Sequence, residues 1–137
     1  MAVDYDLPIL FLRESDPQIA REYPAIAAVG AEIIRELDAH QLPMLDEVFQ
    51  FYDNAPHERR KATYLEMLQN LKPGVSEVII HCGYDNAELR AITDSAAMRD
   101  SDRRIFMDRT VQNEIERLDI HVISWKQFRE MNASRSR

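Results

Sequence analysis

The amino-acid sequence predicts an α/β protein in which about four successive β-then-α units form a parallel sheet. Four short segments centred on apolar residues recur, at residues 7–12, 45–51, 75–82 and 120–123, the second of them carrying the acids Asp46 and Glu47, and helical periodicity fills the intervals between them. Alternation of this kind requires crossovers, because parallel neighbours cannot be joined by a hairpin. Only three glycines stand against six prolines, which disfavours glycine-rich cofactor loops and all-β folds built on tight turns. Two architectures satisfy these constraints: an open doubly wound sheet, or part of a closed β/α barrel, whose usual form takes roughly 250 residues. At 137 residues the chain holds about half of such a barrel. A single α/β domain over residues 1–132 is expected, with residues 133–137 a disordered basic tail.

The first segment, Leu7-Pro8-Ile9-Leu10-Phe11-Leu12, is too short for a typical helix and reads as a strand covered on both faces. Asp16-Pro17 then opens a helix: the aspartate caps it, and the proline fills the first turn, where a missing N–H costs nothing. Pro24 divides that run, after which Ile26, Val29, Ile33 and Leu37 recur at helical spacing to about His40. A second strand, Leu45-Asp46-Glu47-Val48-Phe49-Gln50-Phe51, follows Pro43. Tyr64, Met67, Leu68 and Leu71 obey the i, i+3, i+4, i+7 rule of a core-facing helix, which Pro73-Gly74 stops. The third strand centres on Val78-Ile79-Ile80 and runs into His81-Cys82-Gly83-Tyr84. Asp85 and Glu88 then have the spacing of a capping box, so a helix begins directly after that turn. A long helical region from about Ser95 to Leu118, interrupted near Asp108, leads to a fourth strand at Ile120-His121-Val122-Ile123. Ser124 and Gln127 match a Ser-x-x-Gln capping box, which places Trp125 and Phe128 on a last helix.

Composition narrows the partners. With 17 basic and 24 acidic residues the net charge is −7, which opposes nonspecific binding to a polyanion, so no nucleic acid is expected. The single cysteine, Cys82, excludes an intrachain disulfide and every multi-cysteine metal site, and fits a reducing, cytoplasmic setting. The acidic start Met1-Ala2-Val3-Asp4-Tyr5-Asp6 lacks the basic region of a secretory signal. No apolar stretch reaches the ~18 residues of a membrane span, so no membrane partner is expected.

In parallel α/β sheets, ligands collect outside the carboxyl ends of the strands. The turn His81-Cys82-Gly83-Tyr84-Asp85 has that position, which makes His81 the candidate general acid, base or metal ligand. Gly83 permits a tight turn, and Tyr84 is placed to pack against a ligand. A hydrogen-bonded strand-end histidine is the plainer alternative. Cys82 suits a nucleophile poorly, because adjacent residues on a strand face opposite sides; an inert, buried thiol is expected. His40 closes a helix, His57 lies near a helix start and His121 sits in the last strand, and no two histidines have i, i+3 or i, i+4 spacing, so no self-contained metal site is visible. The run Arg99-Asp100-Ser101-Asp102-Arg103-Arg104 can bind an anionic group or orient a substrate, although solvated helix charges of both signs account for it more simply. Glu77 and Glu88 read as a strand-edge charge and a helix cap. The stripe from Tyr64 to Leu71 reads as core.

The stretch Leu71-Lys72-Pro73-Gly74-Val75-Ser76-Glu77-Val78-Ile79-Ile80-His81-Cys82-Gly83-Tyr84, followed by Asp85 and Leu89, then Arg99 with Asp102, and finally Leu118-Asp119-Ile120-His121-Val122-Ile123-Ser124-Trp125, resembles the C-terminal half of the YdjC-like carbohydrate deacetylases. Tyr5-Asp6-Leu7-Pro8 resembles the family's segment entering a middle strand, and the family usually reads His-Pro-Gly where this chain has His81-Cys82-Gly83. The resemblance implies a modified β/α barrel, as in polysaccharide deacetylase-like proteins, and removal of the acetyl group from N-acetylated sugars. It also implies a divalent metal, Mg or Zn, that polarises the amide carbonyl and activates a water. For His81 it implies a general-acid or substrate-orienting role rather than metal ligation, and Tyr84 and Arg99 are the candidate substrate-binding residues. The family's paired aspartates and His-x-His ligands have no counterpart, so no metal ligand is assigned and no cofactor is expected on this chain alone. The expectation is therefore a C-terminal fragment or truncated product of such a deacetylase, inactive in isolation.

Two other readings compete. A noncatalytic α/β module would cover its exposed sheet edge by pairing with another copy, giving a homo-oligomer. An unrelated open α/β enzyme with His81 as base would need a closed pocket holding a second titratable group beside it.

Overall fold

Helix ends set the course of the chain. The computed structural model describes residues 2–13, 21 and 24–133. Its elements run α1 (Ala2–Tyr5), α2 (Pro24–Ala39), β1 (Glu47–Gln50), α3 (His57–Gln69), β2 (Ser76–Ile79), α4 (Ala87–Ile92), α5 (Ala96–Met107), α6 (Arg109–Arg117) and α7 (Trp125–Ala133). Pro24 is the first residue of α2, where its fixed φ suits the opening turn. The break expected near Asp108 is real: its carboxylate accepts the Thr110 N–H at 2.8 Å and caps α6. The Ser124–Gln127 box closes reciprocally, Ser124 N–H donating to Gln127 Oε1 at 2.8 Å and Gln127 N–H to Ser124 Oγ at 3.3 Å. At α4 the cap is Asn86 rather than Asp85. Asn86 sits one residue before the helix in extended conformation and accepts the Leu89 N–H at 2.9 Å, while Asp85 takes the Arg90 guanidinium at 2.6 and 2.9 Å. The helix opened at Asp16-Pro17 and residues 134–137 of the tail lie outside the described residues.

Three helix C-termini, those of α1, α2 and α6, share one device. Asp6 (φ 53°), Gln41 (φ 53°) and Asp119 (φ 55°) are left-handed. After each, the next N–H reaches back five residues: Leu7 to the Ala2 carbonyl at 3.0 Å, Leu42 to Leu37 at 2.9 Å, and Ile120 to Ile115 at 3.1 Å. Glycine normally fills this position, and in a glycine-poor chain polar residues take it.

The four-stranded sheet is not what forms. β1 and β2 make a two-stranded parallel sheet. The segment at residues 7–12 contributes a single parallel bridge, Leu12 with Leu45. Residues 120–123 form no strand: the turn at Asp119 ends α6 and leaves Val122 81% exposed and His121 on the surface. Among the described residues the regular sheet thus stops at two strands, and no barrel is present.

The chain divides into two compact units, Met1–Val48 with Gly74–Glu77 and Val122–Arg137, and Phe49–Pro73 with Val78–His121. In the first, Leu37, Leu42 and Met44 are buried and Ile9, Phe11, Ile33 and Ile34 pack on them. Val29, one of the residues recurring at helical spacing on α2, is 56% exposed, whereas Leu37 near the C-terminal end is buried; the Ile26 side chain lies outside the described residues. Gly74 is obligatory here. Its φ is +147°, and an added Cβ would stand 2.5 Å from the Asp46 carboxylate, which accepts the Val75 N–H at 2.7 Å.

In the second unit α3 packs on α5 and α6, and α5 on α6. The predicted stripe is core: Tyr64, Met67 and Leu68 are buried with Ile105 and Val111, while Leu71, Phe49, Phe51, Val78 and Ile80 pack around them. The Tyr64 ring meets Phe51 and Phe106 edge-on at 5.1 and 5.0 Å. α3 ends at Gln69, ahead of Pro73-Gly74. Inside this core lies an ion pair, Arg60 with Asp102 at 2.6 Å, each side chain 1% exposed.

Candidate functional site

Parallel strands release their loops at one end, so the residues that follow β1 and β2 are neighbours. After β1 come Phe51, Tyr52, Asp53 and Asn54; after β2 come Ile80 and His81. The Tyr52 and His81 rings stack with centroids 5.4 Å apart and planes inclined by 26°. The Tyr52 hydroxyl lies 3.0 Å from His81 Nε2, and Gln50 Nε2 lies 3.4 Å from the same atom while donating to the tyrosine hydroxyl.

Tyr52 also lines a groove of about 310 Å³ together with Asn54, Thr93, Asp94, Ser95, Met98 and Arg99. The lining mixes an aromatic ring, a thioether, hydroxyls, an amide, a carboxylate and a guanidinium. Such a lining offers one aromatic face together with hydrogen-bond donors and acceptors. Arg99 is held in place at both ends: its Nε donates to Ser95 Oγ at 3.0 Å, and its carbonyl accepts the Gly83 N–H at 3.2 Å. Gly83 serves close packing, since an added Cβ would come within 2.9 Å of the Leu89 side chain.

Of the residues singled out in sequence, His81 stacks on Tyr52 without lining the groove, and Arg99 lines the groove with Tyr52. Tyr84 stands outside the groove's lining, 66% exposed, with the Arg103 guanidinium 4.4 Å above its ring. Cys82 corrects an expectation. It is exposed rather than buried, because β2 ends at Ile79 and strand alternation no longer governs residue 82. Its thiol is nonetheless pushed up, by partial desolvation first and the Asp102 charge second, with Arg103 opposing, so it is a poor nucleophile.

His57 opens α3 and its Nδ1 lies 2.9 Å from Ser101 Oγ. A histidine on a serine has the outline of a base and its nucleophile, but Ser101 is only 3% exposed and no substrate reaches it. The pair fastens α3 to α5. His40 follows α2 and faces the Glu36 carboxylate at 3.3 Å.

Three residues around the site, Tyr52, Gln50 and Arg60, were not singled out in the sequence, and Asp102 was named only in a charged run and in the family resemblance. Tyr52 and Gln50 were open to the argument used for His81, since they sit i, i+2 at the carboxyl end of a predicted strand. Arg60 lies four residues before Tyr64 on the core stripe, and a charge on an apolar stripe was the sign of a buried pair. Asp102 was read as part of a solvated run. It shares the buried face of α5 with Met98, Ser101 and Ile105. Its Oδ1 takes the Arg60 guanidinium and the Tyr64 hydroxyl, the latter at 3.0 Å, and its Oδ2 accepts the His81 backbone N–H at 3.4 Å. Burial and the Asp102 charge together push the Tyr64 phenol well up, while Arg60 stays firmly protonated because the Asp102 bond and charge outweigh its own desolvation.

Among the described residues no group of three His, Cys, Asp or Glu side chains could hold a metal ion. The polar side chains on the His81 ring are a phenol and an amide, a donor set that suits an uncharged ligand and not a divalent cation. Residues 1–117 match the YdjC-like protein family. No curated protein matches the chain.

Proposed function

The chain belongs to the YdjC-like family, and on that premise we propose that it binds an N-acetylated carbohydrate at the carboxyl end of β1 and β2, as part of a deacetylase. The groove takes the sugar against Tyr52 and Arg99. His81, stacked on Tyr52, orients it, and in a complete deacetylase would donate a proton to the leaving amine, with Tyr84 as an outer contact. Tyr52 carries this reading, because it lines the groove and its hydroxyl meets His81 Nε2 at 3.0 Å. In the chemistry of such deacetylases a divalent metal polarises the amide and activates water. The described residues do not fit that ion, so they are expected to bind the sugar without hydrolysing it.

The test is a calorimetric titration with an N-acetylated chito-oligosaccharide and with its deacetylated counterpart. The N-acetylated sugar should bind, and Tyr52→Ala or Arg99→Ala should weaken it about tenfold, the equivalent of ~1.4 kcal/mol. Absence of binding by the unaltered chain contradicts the reading. Equilibrium dialysis against zinc or magnesium should leave less than one ion per chain, and a single tightly held ion would overturn the assignment of metal-free residues.

A second reading, a noncatalytic module that self-associates, draws on the sheet itself. Parallel sheets rarely stand with two strands, and a homodimer would extend this one. Sedimentation separates the two: a stable dimer that ignores the sugar supports the module.

A further inference from the structure

We propose that the buried Arg60–Asp102 pair is a positioning device that fixes Tyr52 and His81 against each other; it rests on the reading of these two residues given above. The bonds of the pair run outward to the two strand-end loops. Arg60 Nη1 donates to the Asp53 carbonyl and to Asp53 Oδ1, both at 2.7 Å, and Nη2 donates to the Phe51 carbonyl at 3.2 Å. These acceptors flank Tyr52 on both sides in the chain. At the other end, Asp102 Oδ2 accepts the His81 N–H at 3.4 Å. One ion pair therefore holds the backbone on either side of the tyrosine and the backbone of the histidine.

Arginine is required for this, because its rigid fork of donors serves several acceptors at once, which a lysine ammonium on a flexible stem does not. Stability alone is a weak reason for the pair, since apolar residues of similar volume often replace a buried ion pair without loss. Arg60 Nε, buried without a hydrogen-bond partner, fits a guanidinium placed for its loop contacts rather than for full satisfaction.

The experiment replaces both charges together, Arg60→Met with Asp102→Leu, so that no buried charge is orphaned. The double variant should keep its helical circular dichroism, while the His81 amide exchanges about tenfold faster relative to those of Tyr64 and Ile105. The ring-current shift and nuclear Overhauser contact between Tyr52 and His81 should vanish. A folded double variant that keeps both signals overturns the proposal. Arg60→Lys, which preserves the charge, is read alongside in case the double variant does not fold; it should release the same contact, and an intact Tyr52–His81 contact in it also overturns the proposal. Titration with the N-acetylated oligosaccharide separates the two claims. If the unaltered chain shows the ring contact and its loss on Arg60 replacement but binds no sugar, the carbohydrate reading fails and the positioning device stands. If sugar binds and the ring contact survives in the variants, the positioning device fails.

Discussion

The two units bury different things. In the first, the interior around Leu37, Leu42 and Met44 is apolar. In the second, Tyr64, Met67, Leu68, Ile105 and Val111 enclose Arg60, Ser101 and Asp102, which are the buried polar and charged side chains among the described residues. An apolar core specifies volume, and its side chains can be exchanged for others of similar size. A buried charge specifies geometry, because every donor and acceptor must find a partner at a fixed place. The candidate site lies where geometry is specified.

That contrast predicts an order of effects. Arg60→Met alone leaves Asp102 buried and unpaired and should cost about 3–5 kcal/mol in a urea melt, most of it recovered when Asp102→Leu is added. Little recovery would mean that the pair is held for stability. Ile105→Ala and Leu37→Ala should each cost about 2–5 kcal/mol by the same measurement, since both remove a buried side chain from a packed interior. Ser124→Ala removes half of the α7 capping box and should cost about 1 kcal/mol, seen as fraying of that helix.

The smallest effect concerns pH. Lys61, with the Thr110 backbone and side chain, holds the Asp108 carboxyl down at about 2, and Arg117 with Gln69 holds Glu114 at about 2. Their folded values lie below the unfolded value of ~4, so the stabilisation is fully present above that value and is lost as pH falls through about 2. Both groups are at the surface, so salt should shrink the effect. Acid melts of Lys61→Met should show a flatter decline toward pH 2 than the unaltered chain.

Helices were far more legible than strands. Periodicity, Pro24, Asp108 and the Ser124–Gln127 box are local signals, and each marks a helix end or break in the structure. Strands need partners, and the apolar run at residues 120–123 had nothing in its own sequence to show that Asp119 would turn the chain out of regular structure. His81 was visible because it follows a strong apolar strand. Asp102 was hidden because an aspartate among arginines looks solvated until α5 is packed against α3. Arg99 was legible as a residue type only, and its groove depends on a tyrosine from the loop after β1.

The most direct test of the central claim is a nuclear magnetic resonance titration of the isotope-labelled chain with an N-acetylated chito-oligosaccharide. The account predicts saturable shifts at the Tyr52 and His81 rings and the Arg99 side chain, with Leu37 and Met44 in the first unit unmoved. Shifts confined to other residues, or none at all, would contradict it.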